Sequence, residues 1–96
     1  MRRIVLTRRA QSDLVGIWSY TRDQWDSAQA DTYLDVLDRG IRNLSENPEL
    51  GARRDHVRKG YRALFIHRHA VYYTVTQSTI RIVRVLYGQM DPRSHL

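Results

Sequence analysis

The hydrophobic period of this chain changes at Gly60, and that change limits the fold more than any other feature. Before it, apolar residues recur at spacings of three and four; after it, they alternate. The first spacing marks a helix face and the second a strand face. Ala10, Leu14, Ile17, Trp18, Thr21 and Trp25 form one stripe, which predicts a helix over residues 8–24, with Thr7 as its N-cap. Asp26 and Gln29 resemble a capping box and predict a second helix start. Its stripe is Ala30, Tyr33, Leu34, Leu37, Ile41 and Leu44; Asp31, Asp35 and Asp38 lie off it and are expected in water. Asn47, before Pro48, is the expected end, because a pre-proline residue is pushed out of the helical region. With only a residue or two between them, the helices must form an antiparallel hairpin, and both Trp18 and Trp25 are expected in its packing.

The hairpin needs a partner for its apolar side. "RRIVLT" (2–7) reads as a short strand, and three more are expected over 61–67, 70–76 and 79–87. Tight turns at Arg68-His69 and Gln77-Ser78 make the last three an antiparallel meander. Val71, Tyr73 and Val75 share one face. "TIRIVRVLY" is apolar on both faces, with Arg81 and Arg84 expected on opposite ones, so it reads as a central strand covered in part on its second side. The order is β-α-α-β-β-β over a single domain, residues 1–96. The fold class is α+β: a two-layer sandwich with the helical hairpin on a small, mainly antiparallel sheet of three or four strands.

Charge is divided along the chain. Residues 1–9 hold four cations and no acid; 10–50 hold three basic and eight acidic residues; 51–96 hold nine basic and two acidic. Fifteen of the sixteen cations are Arg, which suits bidentate contact to carboxylate or phosphate. The absence of cysteine removes disulfide and thiolate chemistry and suits a reducing cytoplasm. The three-residue apolar run in "MRRIVLTRR" is too short for a signal h-region, and no stretch reaches the length of a membrane span. A cytoplasmic protein is expected.

No sharp catalytic motif stands out. His67 and His69, with His56 and His95 as possible third ligands, lack a carboxylate at matching spacing, so neither metal nor cofactor is expected. Arg62, His67, His69, Arg81, Arg84 and Tyr87 fall on the sheet half and are the residue types of metal-free RNA cleavage. A polar sheet surface explains them equally. Glycine-rich phosphate loops are absent, and the second helix is too acidic outside to enter a DNA groove.

The motifs in their order are more specific than any one alone. Ala10/Asp13-Leu14/Ile17-Trp18, "QA..YL..L", "NPELG", "GYR", "H.VYY.V" and the ending "MD...HL" together resemble the ParE toxins of ParD/ParE toxin–antitoxin systems, within the RelE/ParE superfamily. The resemblance covers nearly all of the chain and implies the same βααβββ sandwich. It implies a growth-inhibiting toxin that binds DNA gyrase, stabilises cleaved DNA and is neutralised by a ParD-like antitoxin, whose own domain would make the DNA contact. The ending would then supply target-binding residues: Met90, Asp91, Arg93 and His95. Met90 is expected to dock on the core and Leu96 to anchor the end.

RelE relatives instead cleave mRNA on the ribosome, which is the alternative; Arg62, Arg84 and Tyr87 would carry it here. ParE relatives usually end the last strand in Leu-His, where this chain has Leu86-Tyr87. A third reading is a degenerate toxin that acts mainly as an antitoxin-bound corepressor. An acidic antitoxin tail is expected to cross the basic side of the sheet and the hairpin groove, meeting Arg62, Arg68, Arg81, Trp18 and Tyr33.

Overall fold

The computed structural model describes all residues, 1–96. Strand β1 (Arg3–Leu6) leads into α1 (Arg8–Gln24) and α2 (Ser27–Asn43), followed by β2 (Ala52–Arg53), β3 (Arg62–Ile66), β4 (His69–Val75) and β5 (Thr79–Tyr87). A 3-10 turn at Pro92–Ser94 lies near the end. The helix starts follow the expected chemistry: the Thr7 side chain accepts from the Ala10 N–H, and the Asp26 side chain from the Gln29 N–H.

The second helix ends at Asn43, before the expected Asn47. The Leu44 N–H turns back to Ile41, while Ser45 bonds the backbone of Arg2 through both its carbonyl and its hydroxyl. Pinning to β1 therefore stops the helix before proline chemistry is needed. Trp25 is a second correction: it caps α1 and stays 76% exposed, because the connection turns away before its ring reaches the hairpin.

The sheet has five strands in the order β1-β5-β4-β3-β2, with β1 parallel to β5 and all other pairs antiparallel. The fifth is the two-residue β2, hidden in a segment with no apolar alternation. The first hairpin turn is His67-Arg68, one residue earlier than expected, since Ile66 pairs with His69. His67 takes φ 51° there, a left-handed conformation that His tolerates better than most non-glycine residues.

A bulge corrects the facing of β5. Tyr72 pairs with Arg84 but Tyr73 with Ile82, leaving Val83 as the extra residue. One unpaired residue reverses the alternation beyond it. Arg81 and Arg84 consequently lie on the same face, the one away from the helices. Ile80, Ile82 and Val85 enter the helix-side core with Ala10, Ile41, Leu44, Val71 and Tyr73. Ala63, Ala70, Tyr72 and Leu86 form a smaller cluster on the second face, where Leu96 packs.

Candidate functional site

Each of the sheet's two faces carries polar side chains, and the fold keeps them apart. On the helix side, Tyr73 reaches the loop after α2: its hydroxyl donates to the Pro48 carbonyl (2.7 Å) and accepts from the Gly51 N–H (2.8 Å). Arg62, opposite Tyr73 in register, donates to the Gly51 carbonyl at 2.8 Å. A Cβ at Gly51 would come within 2.7 Å of the Tyr73 ring and 2.9 Å of the Ala63 backbone, so only glycine fits. Three short motifs, "NPELG", "GYR" and "VYY", thus meet in one hydrogen-bonded joint. Arg62 thus gives one of its five N–H donors to that joint, which fixes where its guanidinium lies.

At the other end of this face, the Tyr33 hydroxyl lies 2.6 Å from His69 Nδ1, and Tyr87 packs edge-on against the same imidazole. Burial pushes the Tyr33 phenol up, against the Arg68 backbone N–H and charge, and pushes the His69 imidazole down. Both shifts favour the neutral forms, and the phenol and Nδ1 share one hydrogen bond. Tyr87 itself remains 38% exposed. His67 stands beside Tyr33 as well, its ring centroid 6.1 Å away. No group of three His, Asp or Glu side chains is arranged to hold a metal ion.

Arg84 is held from two directions. Its Nε and one terminal nitrogen donate to Asp13 at 2.7 and 2.8 Å, and the other terminal nitrogen donates to the His95 carbonyl at 2.7 Å. Asp13 also accepts from the Val85 N–H at 2.9 Å. The reason is local: β1 ends opposite Ile82, leaving that edge of β5 without a strand neighbour beyond that point, while β4 continues on the other. The Thr7 hydroxyl and the Asp13 carboxylate supply the missing partners, one to the Val83 carbonyl and one to the Val85 N–H. Hydrogen bonding to Asp13 raises the Arg84 pKa further. This clamp ties α1, β5 and the C-terminal segment together.

The three residues proposed for RNA cleavage are therefore not assembled. Arg62 and Tyr87 lie on the helix-side face but pair with Tyr73 and His69, four positions apart along β4. At about 3.4 Å per residue that is about 14 Å. Arg84 faces the other way. The signal that Asp13 and Arg84 pair was absent from the sequence, because 71 positions separate them.

The C-terminal segment is ordered on the second face. The Gly88 N–H donates to the Arg68 carbonyl at 2.7 Å, and the Asp91 side chain caps the 3-10 turn by accepting from the Arg93 N–H. Pro92 starts that turn, His95 is held through its carbonyl, and Leu96 seats on the small apolar cluster. Met90 does not dock as expected; it is 45% exposed, because the turn after Tyr87 carries it outward. Arg93 is exposed too.

The expected antitoxin contacts are spread over different surfaces. Trp18 donates to Asp31 at 2.9 Å across the hairpin and lies under Arg22. Tyr33 belongs to the His69 cluster, Arg68 to the exposed turn and Arg81 to the second face. The apolar groove between hairpin and sheet, about 570 Å³, is lined instead by residues including Ile4, Leu6, Leu14 and Leu34, with Asp35 and Asp38 at its rim.

Comparison with known proteins identifies the class. Residues 4–92 match the family described as ParE toxin of type II toxin-antitoxin system, parDE. Toxin ParE1 of Mycobacterium tuberculosis is 41% identical over 90 residues, covering 93% of this chain and 92% of that protein. Toxin ParE1 of Caulobacter vibrioides is 37% identical over 91 residues, covering 95% and 94%. The solved chromosomal ParDE system from P. aeruginosa includes a chain that superposes with TM-score 0.80 at 21% identity, covering 91% of this chain and 96% of that one, which establishes the shared fold. The match to toxins of type II toxin-antitoxin systems fixes the class: a type II toxin, with an antitoxin as its partner. Within that class, the chain belongs to the ParE toxin family.

Proposed function

We propose that this toxin arrests growth by binding DNA gyrase and stabilising cleaved DNA, without chemistry of its own, and that a ParD-like antitoxin neutralises it in the cytoplasm. The observation carrying this reading is the nearly full-length kinship with ParE toxins, together with the dispersal of Arg62, Arg84 and Tyr87. The Arg84 guanidinium has all three nitrogens engaged with Asp13 and the His95 carbonyl, which leaves it few donors for charge developing on a phosphorane. The ordered segment from Met90 to Leu96 presents Met90 and Arg93 to solvent and supplies the target contact. Asp91 and His95 shape it from behind, by capping the turn and by meeting Arg84.

The antitoxin enters the groove lined by Leu14 and Leu34, with an amphipathic helix laying apolar side chains along it. An acidic extension of that partner then follows the cations Arg68 and Arg81, and raising salt slows its association. Operator DNA is read by the antitoxin's own domain. The test is purified toxin added to gyrase: micromolar toxin is expected to block supercoiling or raise the cleaved complex, and no effect at that excess contradicts the proposal. One observation favours a second reading, ribosome-dependent mRNA cleavage: Tyr87 is partly open and packed edge-on against the His69 imidazole. Cutting of transcripts in a translating extract, lost in Tyr87→Phe and Arg62→Ala, would establish it; intact transcripts reject it.

A further inference from the structure

The second face of the sheet holds a cleft of about 270 Å³ whose lining includes Arg9, Arg58, Arg81, Arg84, Tyr61 and His95, and no carboxylate side chain. It exists because of the bulge at Val83, which places Arg81 and Arg84 on one side of β5. Arg84 already has Asp13. Arg9, Arg58 and Arg81 take part in none of the chain's four ion pairs, and no hydrogen bond engages their guanidinium groups. Like charges gathered around one concavity repel one another, and low-dielectric walls strengthen the effect.

The start of α1 breaks a local rule in the same place. Arg8 and Arg9 occupy its first turn, which contains no acid, although the positive end of a helix favours anions. Thr7 caps the helix without adding charge and Asp13 answers only Arg84, so the positive end of α1 and the remaining cleft cations add to one another. The positive field also continues along the chain beyond the cleft, through Arg8 beside Arg9 and through Arg54 and Lys59 near Arg58, while Asp55 is paired with Arg53. A small anion would satisfy one focus; a field of this extent suits a polymer of evenly spaced negative charges. Tyr61 and His95 add flat, half-buried ring surfaces of the kind a sugar or base packs on.

We propose that this cleft takes a backbone phosphate of a nucleic-acid strand, through Arg9, Arg58 and Arg81, in a contact independent of sequence. The contact is separate from operator recognition by an antitoxin and does not depend on which enzyme the toxin inhibits. Arg84 acts as a fixed floor, and the anion draws the cations inward toward the His95-Leu96 segment.

The test uses the full chain and fluorescence anisotropy of a labelled single strand and its duplex, at salt between about 50 and 200 mM. The Arg58→Ala/Arg81→Ala variant is compared with Arg39→Ala/Arg42→Ala, which removes the same charge from exposed positions of α2. All four positions are partly or fully on the surface, and melting temperatures verify that both variants fold; Arg58→Gln/Arg81→Gln repeats the test with side chains of similar length. The expected result is a loss of at least about tenfold in affinity for the cleft variants, with the salt slope reduced by about two, and less than about threefold for the α2 control. Equal loss in both would reduce the effect to net charge and overturn the proposal. So would absence of strand binding by the unaltered protein. A competitor separates the sources of the anion: a nucleoside monophosphate displacing the strand as well as unlabelled strand does would reassign the cleft to a free nucleotide.

Discussion

The two faces of the sheet are built on different terms. The helix-side face closes around eight buried residues from α1, α2 and its C-cap Leu44, β4 and β5, with Tyr73 fully enclosed. The second face has four, two of them alanine, and its cover is the single side chain of Leu96. Polar groups on the first face are satisfied internally, as in the Tyr73-Gly51-Arg62 joint. On the second face Arg81 stands free and Phe65 is 52% exposed. The contrast teaches that one side carries the folding free energy while the other is held in shape chiefly by the Asp13-Arg84 clamp. A toxin can thus present an under-covered, cationic surface without losing its fold.

The largest expected effect breaks the first face. Ile82→Ala, in the fully buried middle of β5, should destabilise the domain by about 3 kcal/mol in urea unfolding. Asp13→Ala comes next, at about 2 kcal/mol, because it strips partners from a charged guanidinium and from the Val85 N–H. The same variant should make residues 90–96 more protease-sensitive, which a core variant of equal stability should not. Deleting residues 90–96 should cost only about 1 kcal/mol, the scale of one partly buried leucine.

His69 gives the comparison a pH axis. Burial holds its folded-state pKa below the ordinary 6.5, so the unfolded chain binds the extra proton first. Stability from this group is complete above that value and falls as pH drops through it, as linkage requires. Melting temperature should therefore decline between about pH 7.5 and 5.5, and His69→Gln should flatten the decline. The smallest effect is a gain. An added Cβ at Gly16 meets nothing within 4 Å, so Gly16→Ala should stabilise α1 by about 0.5 kcal/mol.

Elements fixed by local chemistry were legible in the sequence. The Thr7 and Asp26 caps, the extent of α1 and the meander of β3 to β5 follow from spacing and turn residues within a few positions. What long-range contact decides was not. Strand β2 exists only through pairing with β3, α2 stops early because Ser45 is drawn to Arg2, and the bulge at Val83 has no local marker. The site suffered most from this. Arg62 and Arg84 look like free cations in sequence because Gly51, Asp13 and His95 approach them only in space. Arg9 and Arg58, which the fold brings to the cleft with Arg81, come from segments that share no pattern.

The central claim is that the second face and its closing segment act on the target, while the helix-side face maintains the fold. Its most direct measurement is gyrase supercoiling with the full chain and with the chain lacking residues 90–96, at matched folded concentration. The account predicts that the truncated protein still binds its antitoxin but inhibits supercoiling at least about tenfold less, a change far beyond that expected from losing about 1 kcal/mol of stability in a protein that remains folded. Equal inhibition by the two forms would contradict it.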